Sequence, residues 1–325
     1  MRLALRRTLW QGGVAVLGEA ATGREAVAMA KRLRPDLISM DVMLPDLDGF
    51  EATRAILAEG PARIVMVSAA GEALQTDLSF RALQCGALDL VEKPENRDAD
   101  SLAVWGKALA ERLILLASQP LGRPAPAAPV ALQRRPFQAP HRVAAFGIAV
   151  STGGPPALAQ LLKGLPPSLN YPVLVAQHIA PGFAAGLARW LAGQTQLPVQ
   201  LAEGGEVPTP GVVWLAKDRT DLVLTGDGRL AAAPNPHGLC PNGDRLLASL
   251  ASLLGRNCAG AVLTGMGADG AQGLLAMKRV GALTFAQDSA SCVVDGMPSA
   301  AVAAGGAELR LNLEELGFVM AELGR

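Results

Sequence analysis

The sequence predicts an α/β protein of two doubly wound domains, and three observations predict it. Short apolar runs alternate along most of the chain with stretches whose apolar positions recur at helical spacing. Half of the residues are apolar while only 4% are aromatic, and plentiful glycine and alanine suit helices packed closely on a sheet. A proline- and alanine-rich stretch from Gln119 to Pro129 has no apolar period and separates two such blocks. At 325 residues the chain is long enough for each block to bury its own core. The expected boundaries are 1–116 and 142–325, with a linker over 117–141.

Composition excludes several function classes. Lysine plus arginine balances aspartate plus glutamate at 29 each, so no net field draws the chain to nucleic acid or to an anionic membrane. The cysteines Cys85, Cys240, Cys258 and Cys292 form no C-x-x-C pair and only three histidines occur, so no metal site is expected. No apolar run reaches the length of a membrane span, and the arginine-rich start lacks a signal-peptide core. A cytoplasmic protein with reduced thiols is the expectation.

In the first block, Leu3 to Trp10 reads as a helix, Val14 to Gly18 as a strand and Arg24 to Arg34 as an amphipathic helix. Leu37 to Met40 is a short apolar run bounded by aspartates, as in a buried parallel strand. Further strands are Arg63 to Ser68 and Leu88 to Lys93, and a helix over Ser101 to Leu113 closes the block. Ligands of open parallel sheets bind outside the carboxyl ends of the strands, where Asp41, Ser68 and Lys93 stand. Ordinary strand-end polarity would give the same pattern.

The stretches Asp41 to Gly49, Ser68-Ala69 and Glu92-Lys93-Pro94 resemble, in order and spacing, the flavodoxin-like receiver domain of two-component response regulators. The resemblance implies that Asp41 is the phospho-acceptor, Ser68 the hydroxyl that follows the phosphoryl group and Lys93 its cation. A receiver opens on a central strand ending in paired acidic residues that hold Mg2+, whereas this sequence opens on a helix. The start is therefore expected to be truncated, with an apolar strand and its acidic pair encoded upstream. Mg2+ binding and phosphorylation depend on that pair, without which the receiver is degenerate.

In the second block the strand Val143 to Val150 runs into Ser151-Thr152-Gly153-Gly154-Pro155-Pro156. Glycine permits a tight turn and proline suits a first helical turn, so Ser151 is expected at a helix N-terminus, as a cap or as a nucleophile. The helix runs from Pro155 to Leu165, and the next strand, Pro172 to Gln177, ends at His178. Val199 to Glu203 and Gly211 to Ala216 read as shorter strands, and Asp221 to Ala231 as two strands joined by a Gly-Asp-Gly turn. A helix over Asp244 to Leu254 precedes a buried strand, Cys258 to Thr264. That strand leads through Gly265-Met266-Gly267-Ala268-Asp269-Gly270 into a helix over Ala271 to Val280.

Serine, histidine and aspartate thus stand at the carboxyl ends of separate parallel strands. A serine hydroxyl needs an imidazole to take its proton, and the imidazole needs a carboxylate to fix its tautomer. His178 and Asp269 fit these roles. Backbone N–H groups of the Gly265-Met266-Gly267 turn, or of the helix after Ser151, could hold an oxyanion.

Ser151 to Gly154, Ala176 to Ile179, Leu263 to Gly270 and Ala286 to Pro298 resemble the catalytic domain of chemotaxis protein-glutamate methylesterases, from Val143 to the end of the chain. A receiver joined by a linker to such a domain is that family's architecture. The resemblance implies a mainly parallel doubly wound domain with a β-hairpin region. Its nucleophile, base and orienting acid fall on Ser151, His178 and Asp269, Thr152 lies beside the site, Met266 N–H is the oxyanion donor, and Gly267 supports it. The implied substrate is a γ-glutamyl methyl ester on methyl-accepting chemoreceptors, with methanol released, and many members also deamidate glutamines. The implied phosphodonor is a chemotaxis histidine kinase, and no cofactor serves the esterase. Nucleic acid and membrane insertion play no part, and a monomer is expected. Ala149 stands where a glycine often precedes the serine by two positions. A receptor-binding adaptor without turnover, or an esterase for another ester, are the alternatives.

Overall fold

The structure is a computed structural model that describes residues 2–60, 62–68, 85–94, 98–118, 142–179, 181–235 and 240–324. It divides into two compact units, Met1–Arg123 and Pro124–Arg325. The expected linker lies outside the described residues from 119 onward, as do His141 and His237.

The first unit holds a parallel sheet in the order β1 (Ile38–Asp41), β2 (Ile64–Ser68), β3 (Asp89–Glu92). Its helices are α1 (Arg2–Gln11), α2 (Gly23–Leu33), α3 (Gly49–Glu59) and α4 (Ala99–Ser118). Thr22 caps α2, and Asp48 with Glu51 forms a capping box on α3. Met40, Phe50, Ala52, Ile56, Ile64 and Met66 build the core.

The strand expected at Val14 to Gly18 does not form: this segment has no regular structure. A strand exists through its ladder, and in the flavodoxin-like order 2-1-3-4-5 the second strand pairs only with the first. Among the described residues no strand lies beside this segment, so it has no ladder to join.

The second unit is built on a seven-stranded parallel sheet. Its strands in chain order are β4 (Ala145–Val150), β5 (Val173–Gln177), β6 (Val199–Ala202), β7 (Val213–Ala216), β10 (Cys258–Val262), β11 (Leu283–Gln287) and β12 (Leu309–Leu311). In space they run β12-β11-β10-β4-β5-β7-β6. The antiparallel pair β8 (Thr220–Leu224) and β9 (Leu230–Pro234) is the expected hairpin, turned at Gly228 with φ +78°. Helices α5 (Gly154–Lys163), α6 (Ala184–Ala192), α7 (Gly243–Leu254), α8 (Ala271–Arg279), α9 (Gly296–Ala303) and α10 (Leu313–Leu323) complete the unit.

The sheet grows from β4 toward β6 and then resumes on the other side of β4 with β10, so the order reverses between β4 and β10. That reversal opens a crevice at the carboxyl ends of the two strands. Both strands are buried throughout. Small residues bring α7 and α8 close on one face: a Cβ on Gly147 would come within 2.7 Å of Leu247 and Leu250, and one on Gly260 within 2.6 Å of the Met277 sulfur. On the other face Phe146 stacks between Tyr171 and Phe285, each pair 6.3 Å apart at the ring centroids.

Candidate active site

Ser151 is the first residue past β4, beside the crevice. Its N–H donates to Thr264 O at 3.0 Å, which pins it to the segment after β10, and its carbonyl accepts from Gly154 N at 2.8 Å. Gly153 takes the left-handed conformation at φ +77°, and a Cβ there would approach the Val293 side chain to 2.5 Å. The turn uses up two residues, so α5 starts at Gly154 and Ser151 precedes the helix instead of opening it. The N-cap is Gly153 and makes no side-chain cap bond, while proline occupies the first turn as expected. Capping therefore does not account for Ser151. Thr152 beside it is buried, and its carbonyl accepts from Thr264 Oγ1 at 2.9 Å.

His178 is the first residue past β5, and its N–H donates to Val150 O at 2.9 Å. Asp269 is not at a strand end: it lies seven residues beyond β10, in the turn before α8. The structure brings the two together, with His178 Nε2 2.7 Å from Asp269 Oδ2 and side chains only 10% and 6% exposed. A carboxylate accepts, so Nε2 carries the proton and Nδ1 is left as the basic nitrogen. Among the described residues no hydrogen bond joins Ser151 Oγ to His178.

Asp269 is also the acceptor for a helix start. Gly243 N donates to Oδ2 at 2.6 Å and Asp244 N to Oδ1 at 3.0 Å, while Asn242 Oδ1 takes Arg245 N at 2.8 Å. The first three amides of α7, which have no partner within a helix, are thereby all satisfied. Burial pushes the Asp269 carboxyl up, but the hydrogen bond from His178 and those from Gly243 and Asp244 outweigh it and hold the group below its ordinary value. Asp244 goes the other way: burial raises it, opposed by the Gly273 N–H that its Oδ1 accepts at 2.7 Å and reinforced by the charge of Asp269. Ala149 is wedged here, its Cβ where a side chain on Gly243 or Gly270 would reach to 2.5 or 2.7 Å.

The turn expected to hold an oxyanion abuts the serine. A Cβ on Gly265 would come within 2.7 Å of Ser151 Cβ. Gly265 is anchored on both sides, its N–H donating to Val294 O and its carbonyl accepting from Met297 N, each at 2.9 Å. Among the described residues the Met266 N–H has no hydrogen-bond partner, and Gly267 follows it at φ +81°, exposed.

Sequence reasoning missed the buried polar residues under this turn. Gln287 ends β11, accepts from Thr264 N at 2.8 Å and donates to Ser291 O at 2.9 Å. Gln177 ends β5 in the same manner. The readable signal was an amide side chain as the last residue of an apolar strand.

In the first unit, Lys93 Nζ lies 2.6 Å from Asp41 Oδ2, and Met43 N donates to Oδ1 at 3.3 Å. The register pairs Asp41 with Val67 and Ser68 with Glu92, so Asp41, Ser68 and Lys93 do occupy the carboxyl ends of three neighbouring strands. Among the described residues no group of three or more His, Cys, Asp or Glu could hold a metal. Among the described residues no second carboxylate joins Asp41, and Lys93 takes one of its oxygens.

Comparison with known proteins agrees with both units. Residues 146–320 match the CheB methylesterase family and residues 1–102 the response regulator receiver domain. The protein-glutamate methylesterase/protein-glutamine glutaminase 3 of Myxococcus xanthus is 48% identical over 89% of this chain and 81% of its own. Protein-glutamate methylesterase/protein-glutamine glutaminase 2 of Anaeromyxobacter dehalogenans is 42% identical over 96% of this chain and 90% of its own. The crystal structure of the Thermotoga maritima CheB methylesterase catalytic domain is 32% identical, covering 56% of this chain and 100% of that one at a TM-score of 0.53. No described helix is long and apolar enough to cross a membrane. With the family matched over more than half of its length and relatives aligned along both units, this chain is a hydrolase of the CheB methylesterase family that carries a response-regulator receiver.

Proposed function

We propose that the protein hydrolyses γ-glutamyl methyl esters on the cytoplasmic helices of chemoreceptors, and deamidates glutamines there, by a Ser151-His178-Asp269 mechanism. The observation that carries this reading is the His178–Asp269 pair set beside a serine that caps no helix. Ser151 Oγ attacks the ester carbonyl carbon while His178 Nδ1 takes its proton, and Asp269 stabilises the imidazolium. The carbonyl oxygen, now negative, turns toward the Met266 N–H. As the tetrahedral intermediate collapses, the imidazolium protonates the leaving methoxide and methanol departs. Water, deprotonated by the same nitrogen, then attacks the acyl-enzyme, and glutamate and Ser151 are released. An amide substrate follows the same path with ammonia leaving.

Methanol release from a methylated receptor fragment tests this. Ser151→Ala and His178→Ala are expected to lower kcat by at least 10³-fold, on the scale seen when triad members are removed. Release by both variants at the wild-type rate would leave a protein that binds receptors through this domain without turnover by these residues.

The receiver, tethered in the same chain at high effective concentration, regulates access to Ser151; where an acidic pair for Mg2+ joins Asp41, Asp41 is the phospho-acceptor and a chemotaxis histidine kinase the phosphodonor. Deleting residues 1–140 is expected to raise activity, and unchanged activity would remove this inhibitory role.

A further inference from the structure

We propose that Gln177 is a positioning residue for hydrolysis, one whose amide sets the separation of Ser151 and His178. This rests on the reading of those two residues given above. The β4–β5 ladder ends with Val150 opposite Gln177, and the bond from His178 N to Val150 O is its last backbone rung. Beyond it the two chains part toward different loops. There Gln177 Nε2 donates to Ser151 O at 2.9 Å and to His178 O at 2.8 Å. Only the nitrogen of the amide carries two hydrogens, so two carbonyl acceptors fix its orientation.

Gln177 as a whole is 4% exposed and, by strand alternation, its side chain leaves the sheet on the face opposite His178. Gln177 therefore acts through the backbone of the two residues and not on the substrate.

Two further observations separate this role from filling space. Gln177 Oε1 is buried with no hydrogen-bond partner among the described residues, a cost that methionine or leucine would avoid. Glycine at the start of α5 makes room for it: a Cβ on Gly154 would lie 2.0 Å from Oε1 and 2.8 Å from Cδ. Gln287, at the matching last position of β11, likewise joins its strand end to the Thr264 backbone.

The test is steady-state methanol release from the methylated receptor fragment by full-length Gln177→Met and Gln177→Glu, with thermal melts alongside. Methionine keeps the size without the donors, and glutamate turns carboxylate oxygens toward two carbonyls. Both are expected to lower kcat by about 10- to 100-fold, the scale of an ångström-level misplacement, with KM within about twofold of wild type. Gly154→Ala, which crowds the amide while leaving Gln177 in place, is expected to act in the same direction. Wild-type kcat in folded Gln177→Met overturns the proposal, as does a change confined to KM. Failure of both Gln177→Met and Gly154→Ala to fold also overturns it, because Gln177 would then be a folding residue. Ser151→Ala assayed in parallel keeps the two readings apart: its activity would sink the serine mechanism, whereas its silence beside a fully active Gln177→Met sinks only the role of Gln177.

Discussion

Each unit sets a carboxylate against a nitrogen-bearing side chain at the carboxyl edge of a parallel sheet, yet the two carboxylates are held in different ways. Asp41 is 35% exposed, with Lys93 on one oxygen and a single long backbone bond on the other. Asp269 is 6% exposed, and both of its oxygens are taken by His178 and two helix amides. The proposed roles fit this difference: an acceptor of an incoming group needs an open side, whereas an acid that orients a partner needs holding from several directions. The surroundings follow the same division. Asp41 ends a strand that pairs on one side only among the described residues, whereas the strand bearing Ser151 is paired on both sides and buried throughout.

The sharpest way to break this contrast is Asp269→Asn. It leaves the shape but removes the charge that fixes the imidazole, and kcat for methanol release is expected to fall by about 10³- to 10⁴-fold. The same variant has a pH signature in stability. Because the folded Asp269 titrates below its ordinary value of 3.8, its stabilising share is complete above that value. It is lost as pH falls through the lowered folded value. The gap in melting temperature between wild type and Asp269→Asn is therefore expected to narrow on acidification, and a gap that widens would contradict the hydrogen-bonded, ionised state. Next in size is Gly270→Ala, which forces a side chain into φ +86° and to 2.7 Å from Ala149 Cβ. A loss of roughly 1–3 kcal/mol in denaturant unfolding of the catalytic unit is expected. The smallest effect belongs to Lys93→Met, because an ion pair whose acid is a third exposed is screened by water. About 1 kcal/mol or less is expected from chemical denaturation of the receiver unit. If this substitution cost as much as Gly270→Ala, the distinction between an open and a locked carboxylate would fail.

Ser151, His178 and Lys93 were legible because an apolar run that stops at a polar side chain marks the end of a buried parallel strand. Asp269 was legible from the glycines around it, although its distance from the strand was not. The strand at Val14 was misread because a short apolar run reports what a segment could pair with, and pairing needs a neighbour. The partnership of Asp269 with Gly243 and Asp244 was invisible, since those residues read as an ordinary helix start and the contact spans 25 to 26 positions. Gln177 and Gln287 were hidden for the same reason: each looks like a strand's last residue until the sheet order shows whose carbonyl or amide lies alongside. The sheet order also accounts for Gly147 and Gly260, which the sequence offered only as abundance of small residues.

The N-terminus of α7 spends its first two amides on Asp269, so one carboxylate completes a secondary-structure element and prepares a base. The start of that helix and the orientation of the acid therefore share the same two bonds. A chain in which α7 has frayed leaves Asp269 with His178 as its partner but without the two amides that hold its carboxylate in place.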